Sequence, residues 1–338
     1  MIDLLVAGAG PAGAATAIRA ALAGLSVVVL EPRSGPIDKA CGEGIAHSAV
    51  EYLTRLGVEL DGRPFHGIRY LDAFHRVDAR FTAGPGLGVR RTTLQAALLR
   101  RLADLNVPVV RDRVGPITQN TQSVTAGGIT ARYLAAADGL HSPTRRQLGL
   151  SGANSGEVRR GLRQHFHVSP WTDLVEVYWS HLGEAYVTPV GDDLVGVAVL
   201  TSARGTFDSH LDAFPALRRR LSAASPAGTV MGAGPLRQRV RARTAGRVLL
   251  VGDAAGYVDA LTGEGIAVAL RTSAELVDCI RADRPKDYEA AWRRVSWECR
   301  LLTASLLWAR NRPLLAPRIV PAAAALPAVY RTIVNRLS

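Results

Sequence analysis

The sequence predicts an α/β fold in two interleaved lobes, and three observations carry that expectation. The chain opens on a strand, a glycine turn, a helix and a second strand, IDLLVAGAGPAGAATAIRAALAGLSVVVLE; residues from about 155 to 245 are short β-rich runs divided by turn residues; the last stretch is apolar, basic and broken by prolines. At 338 residues and 48% hydrophobic, the chain can bury one large core or two modest ones. The expected organisation is a parallel-sheet lobe from residues 1–70, 88–155 and 245–285, a mixed β-sheet lobe from 71–87 and 156–244, and a helical cap over 286–338.

IDLLVAG reads as a buried strand because its apolar residues run on without alternation. In GAGPAG, Gly8 permits the tight turn, Gly10 lets backbone approach a pyrophosphate, and Gly13 lets helix and strand pack closely. Pro11 and Ala12 open the helix whose free N–H groups face phosphate. Gly24 closes that helix, and SVVVLE ends in Glu31, whose carboxylate accepts ribose hydroxyls and repels a 2′-phosphate. Pro32 and Arg33 follow at the strand exit and are counted with the same site. Strand, glycines, helix, strand and acid in this order form a dinucleotide fingerprint that leaves NAD and FAD both open.

Beyond Glu31, a glycine-rich loop containing KACGEGI leads to a helix from about Ala46 to Leu56. GVRRTTLQAALLRRLADL sets Arg91, Leu94 and Leu98 at helical spacing, with Arg91 near the start. YLAAADGLHSPTRRQLGL is a second strand exit, with Asp138 and Gly139 where sheet-bound ligands sit. RVLLV then delivers GDAAGYVDALTGEGIAVAL. Gly252 and Gly256 permit close backbone approach, Asp253 can accept hydroxyls, and Gly263, Gly265 and Ile266 open a helix whose bare N–H groups favour negative charge.

These three blocks together resemble the flavoprotein superfamily of aromatic hydroxylases, p-hydroxybenzoate hydroxylase-like, and geranylgeranyl reductases. The resemblance implies a Rossmann-like FAD-binding lobe of the GR2 type, interleaved with a mixed β-sheet substrate lobe and followed by C-terminal helices. It also implies that Arg91 touches the FAD linker, Asp138 supports the pyrophosphate region, and Asp253 binds the ribityl chain. The Gly263–Ile266 backbone would then face the flavin pyrimidine. KACGEGI is similar to the reductases, with Cys41 and Gly42 beside the isoalloxazine and Cys41 as a catalytic candidate; a small residue in a tight loop is the plainer alternative. The YxWxFP signature of those reductases is reduced here to EAYVTP, retaining Tyr186 and Pro189, and no WxWxIP-like stretch of a halogenase occurs.

The runs RRGLRQHFHV, DLVEVYWS, GEAYVTPV and DDLVGVAVL predict a mixed antiparallel sheet as the floor beneath substrate. Phe166, Tyr178, Trp179, Tyr186 and Pro189 are the candidate pocket walls, although ordinary sheet core is the better account of each one taken singly. His165 and His167 share a strand face, but lack a partner at metal spacing, so satisfied sheet positions and no metal site are expected. The cysteines Cys41, Cys279 and Cys299 are too few for a disulfide framework. The prolines at 313, 317, 321 and 327 divide the end of the chain into two or three short helices. They cap the substrate lobe or, on a sharper reading, rest on an anionic membrane surface.

The formal charge is +12, but only two of the 41 basic residues are lysine, and the arginines are scattered without a nucleic-acid motif. Nucleic acid is therefore not an expected partner. No run reaches a membrane span and the chain enters its first strand without a basic leader, so a cytoplasmic place is expected, with a membrane-peripheral one as the alternative. The expected activity is an NADH- or NADPH-dependent FAD monooxygenase that hydroxylates a hydrophobic aromatic or polyketide-like molecule. Alternatives are reduction of isoprenoid or other C=C bonds, and a flavoprotein that assists modification of a partner protein. With no second nucleotide fingerprint, the reductant would bind transiently or electrons would come from another donor.

Overall fold

A computed structural model describes residues 1–153 and 157–337; the expected lobe boundary at 155/156 lies outside the described residues. Strand Ile2–Ala7 lies between two parallel neighbours, Val27–Leu30 and Ile129–Ala136. Val248–Leu250 extends the sheet in parallel beyond Ile129–Ala136, and Val109–Val110 does so beyond Val27–Leu30. Burial on both faces explains the unbroken apolar runs, with Leu4, Leu5, Val6 and Val248–Leu250 fully enclosed.

Register decides where ligands can sit. Ala7 pairs with Leu30 and with Ala136, which pairs with Leu250. Four parallel strands thus end in one row, and the segments after them emerge at a single sheet edge, where open α/β sheets bind ligands. Helix Pro11–Leu22 starts from the first of these exits, with proline at its opening and Ala23 and Gly24 ending it. Its small alanine face packs against Gly265–Arg281, and Arg91–Asp104 lies beside it.

The second sheet runs in the order Ser225–Ala233, Arg160–His167, Leu194–Thr201, Gly183–Pro189, Val175–Trp179, Gly67–Leu71, Arg76–Arg80. All neighbours are antiparallel except Val175–Trp179 with Gly67–Leu71. The change of lobe expected at residue 71 therefore falls inside a strand, because all of Gly67–Leu71 belongs to this sheet. One face of the sheet buries Phe166, Tyr178, Val187 and Val197 under the short helices Phe207–Leu211 and Pro215–Arg220. The other carries Tyr70, Val177 and Tyr186 toward the parallel-sheet lobe and the C-terminal helices.

The C-terminal segment begins as a 23-residue helix, Tyr288–Arg310, that includes LLTASLLWAR, and continues as Ile319–Ala325 and Pro327–Leu337. The last two helices close over Arg76–Arg80, with Tyr330 and Val334 against Val77 and Ala79. Among the described residues, no helix is long and apolar enough to cross a membrane.

Candidate active site

The sheet edge opens into a cavity of about 1140 Å³ that continues between the second sheet and the C-terminal helices. At its inner end lie Gly10, Pro11, Ala12, Cys41, Gly42, Arg91, Asp138, Gly139, Gly252, Asp253, Gly263, Gly265 and Ile266, so these thirteen positions from distant parts of the chain meet in one wall. Gly8 and Gly13 stand behind that wall. Gly8 has φ +99°, and a Cβ there would sit 2.7 Å from the Ala137 carbonyl oxygen; a Cβ on Gly13 would overlap the Gly8 carbonyl oxygen. Gly252, at φ +63°, brings its turn so close to the first helix that a Cβ would lie 2.6 Å from the Ala12 methyl.

Glu31 is buried and ties the strand exits together. It accepts from the Ala9 N–H at 3.0 Å and pairs with Arg33 Nε at 2.9 Å. Burial pushes its carboxyl up, but these partners win and hold it below the usual range. With Gln95, Glu31 and Arg33 line a smaller cleft of about 360 Å³; Pro32 lines neither space. Gln95 receives the Ile37 N–H at 2.6 Å and donates to the Ala9 carbonyl at 3.2 Å.

Three cations gather around Asp253. Burial pushes its carboxyl up, while Lys39, Arg91 and Arg145 oppose the shift. Burial also pushes Lys39 and Arg91 down. Arg145 crosslinks two strand exits, donating to the Ala254 carbonyl at 3.0 Å and to the Leu140 carbonyl at 2.8 Å. Arg91 Nη1 and Asp138 Oδ1 are buried without hydrogen-bond partners. Unpaired buried groups of this kind cost free energy unless a ligand meets them. The glycine cradle, the cations for a pyrophosphate and the carboxylates for hydroxyls fit FAD.

Cys41 stands in the same wall, with its thiol pushed up by burial against the pull of Arg91. Its loop is held by a buried relay that sequence spacing does not reveal. Glu43, at φ +59°, accepts from the Arg91 N–H at 2.8 Å and meets His165 Nε2 at 2.6 Å. The other nitrogen of His165 lies 2.9 Å from Arg163, which also pairs with Asp38. His165 is thus a satisfied sheet position, while His167 is exposed. Among the described residues no group of metal-ligating side chains forms.

Of the substrate candidates, Tyr186 lines the cavity, and its hydroxyl donates to the Leu261 carbonyl at 2.7 Å. Phe166 and Tyr178 do not: strand alternation turns them to the opposite face, where the Tyr178 hydroxyl donates to Glu176. Trp179 is buried against Tyr70, and Pro189 packs its carbonyl onto Gly88. The apolar walls come instead from Ile68, Tyr70, Val177, Leu306, Leu326 and Tyr330. A second ionic cluster braces them. Arg159 joins Glu184 at 2.6 Å and Asp259 at 3.0 Å, and Arg310 joins Glu184 at 2.7 Å, all nearly out of solvent. It pins the loop carrying Gly263 to the sheet and to the long C-terminal helix.

Sheet edge, glycine cradle and adjoining apolar chamber define a flavin-dependent oxidoreductase. Residues 1–68 and 99–282 match the family described as FAD binding domain, and the chain belongs to it. It is 32% identical to the menaquinone reductase of Mycolicibacterium smegmatis over 86% of this chain and 79% of that protein. It is 27% identical to digeranylgeranylglycerophospholipid reductase 2 of Methanosphaera stadtmanae over 80% and 75%. The solved flavin-dependent brominase Bmp2, as a triple mutant, has the same fold, with a TM-score of 0.83 at 17% identity across 100% of this chain and 94% of that one. The halogenase CmlS follows at 0.81 and 19%, across 91% and 64%. At such identities the likeness is one of fold.

Proposed function

We propose that this FAD-dependent oxidoreductase reduces a carbon–carbon double bond in the prenyl chain of a lipid, with NADH or NADPH as a transient reductant. The observation that carries the reading is the continuity of the cavity from the glycine cradle to an apolar chamber under the C-terminal helices. Its volume exceeds the ~300–1,000 Å³ of common small-molecule sites, leaving space for a chain beside a cofactor. Both reductase relatives are named for prenyl-bearing lipids, which favours reduction over the hydroxylation that the sequence ranks first.

Gly8, Gly10, Gly13, Gly252 and Asp253, with Arg91 and Lys39, would hold the FAD pyrophosphate and ribityl chain, and Glu31 the ribose. When bound, FAD supplies the hydride. Gly263, Gly265 and Ile266 open the helix Gly265–Arg281, whose amino-terminal dipole favours negative charge on the adjoining ring. Cys41 offers a neutral S–H to the chamber, and Tyr70, Tyr186 and Tyr330 exclude water from it. Leu314 and Leu315 are exposed on the cap, close in sequence to Arg312 and Arg318, a composition suited to resting on anionic lipid.

The test is anaerobic incubation of the reduced holoenzyme with a prenylated quinone and a geranylgeranyl lipid, then mass analysis. A gain of two hydrogens that survives reoxidation of the quinone headgroup in air is expected. A gain of one oxygen, seen only under air, would establish hydroxylation instead. Stable capture of one protein partner with neither product would favour the assisting role.

A further inference from the structure

Glu264 sits between the two glycines that open the helix Gly265–Arg281, and the roles above leave it unused. It is 6% exposed and lines the cavity. Its Oε2 has no hydrogen-bond partner, and its side chain does not cap the helix it precedes. No ion pair reaches it among the described residues. The other carboxyls in this wall each hold at least one partner: Glu43 has His165 and the Arg91 N–H, Asp138 has the Thr144 N–H on Oδ2 while its Oδ1 is free, and Asp253 has its three cations.

We propose that Glu264 is the acid that protonates the substrate carbon. The inference rests on the reading of double-bond reduction above. The C=C π bond breaks and two C–H bonds form, one from a hydride supplied by the bound reduced FAD, the other from the Glu264 carboxyl proton. The carboxylate left behind regains its proton from water, and the FAD is left oxidised.

The surroundings keep the carboxyl neutral. Burial is the largest influence and pushes Glu264 up to about 7; the Cys299 thiol and Arg271 oppose the shift, and Glu298 adds to it. Arg271 lies on its own helix, and Cys299 and Glu298 on Tyr288–Arg310. Beside them Thr262 and Thr303 join hydroxyls at 2.8 Å, and the Cys299 sulfur lies 4.0 Å from Thr303. A carboxyl near working pH is well matched to proton donation. Cys41 is the weaker rival, since its thiol is pushed up and its sulfur accepts the Glu43 N–H at 3.4 Å.

The experiment compares wild type, Glu264→Gln and Cys41→Ser as FAD-loaded proteins. Single-turnover oxidation of the reduced enzyme by the geranylgeranyl lipid, which has no quinone headgroup, should slow by about a hundredfold or more in Glu264→Gln. Its flavin content and its reoxidation by oxygen should stay within twofold of wild type. In wild type the rate should fall as pH rises through 7. Independently of turnover, infrared titration of the oxidised holoenzyme should reveal a protonated-carboxyl band that is lost near pH 7 and is absent from Glu264→Gln. If wild type reduces the lipid and Glu264→Gln does so within a few-fold, or if only Cys41→Ser is slow, the inference falls while double-bond reduction stands. If wild type leaves the lipid untouched, both fall. A Glu264 already ionised at pH 6 overturns the inference whatever the lipid does.

Discussion

The inner and outer halves of the cavity are built on different principles. The inner half is backbone: four strands end in register, and glycines hold the turns so tightly that a single Cβ would collide. The outer half is side chain: aromatic and aliphatic walls held by the buried ions Arg159, Glu184, Asp259 and Arg310. A phosphate site needs particular backbone conformations at particular places. An apolar chamber needs only volume and bracing, so many sequences can line it.

The contrast breaks first at Gly13. Gly13→Val forces the first helix off its strand, and flavin content, read from visible absorbance, should fall at least tenfold. Second is Glu184→Gln, which takes the carboxylate from Arg310 and leaves buried Arg159 with Asp259 alone. Urea unfolding should show a loss of about 3–5 kcal/mol, with cradle glycines untouched. Third is the pH dependence of stability at the junction of the halves. The folded state binds the Glu264 proton more tightly than the unfolded chain does, so this stabilisation is complete below about pH 4.5 and lost as pH rises through about 7. The difference is at most about 3 kcal/mol, and it should vanish in Glu264→Gln. The smallest effect belongs to the outer rim. Leu314→Ser, at a residue 75% exposed, should weaken flotation with anionic liposomes about fivefold and leave flavin content unchanged. A mutant that lost flavin there would show that the two halves are not separable.

The same division explains what could be read from the sequence. Each block of the cradle was legible because glycine, acid and strand end lie within a few residues of one another; that Gly10, Asp138 and Asp253 share one site was what the resemblance implied. The chamber was not. Both faces of the second sheet are apolar, and alternation separates Tyr178 from Val177 without saying which one meets the cavity. Glu43 and His165 are 122 residues apart, and Arg159 and Asp259 are 100 apart; no local spacing encodes such pairs. Lys39 and Glu43 flank Cys41 in a segment that had already drawn attention, and Glu264 lies between two glycines read for their backbone. In each case the charge was visible, and its surroundings were not.

The strand row has a consequence for biosynthesis. Gly252 and Asp253 complete the cradle only after Val248–Leu250 docks alongside Ile129–Ala136, and the second-sheet strands from Arg160–His167 to Ser225–Ala233 are translated between those two. A nascent chain therefore carries its first nucleotide turn through that whole stretch without Gly252 and Asp253 to face it. The cradle is completed only after those strands are made, and the half-built sheet edge is what chaperones would meet before then.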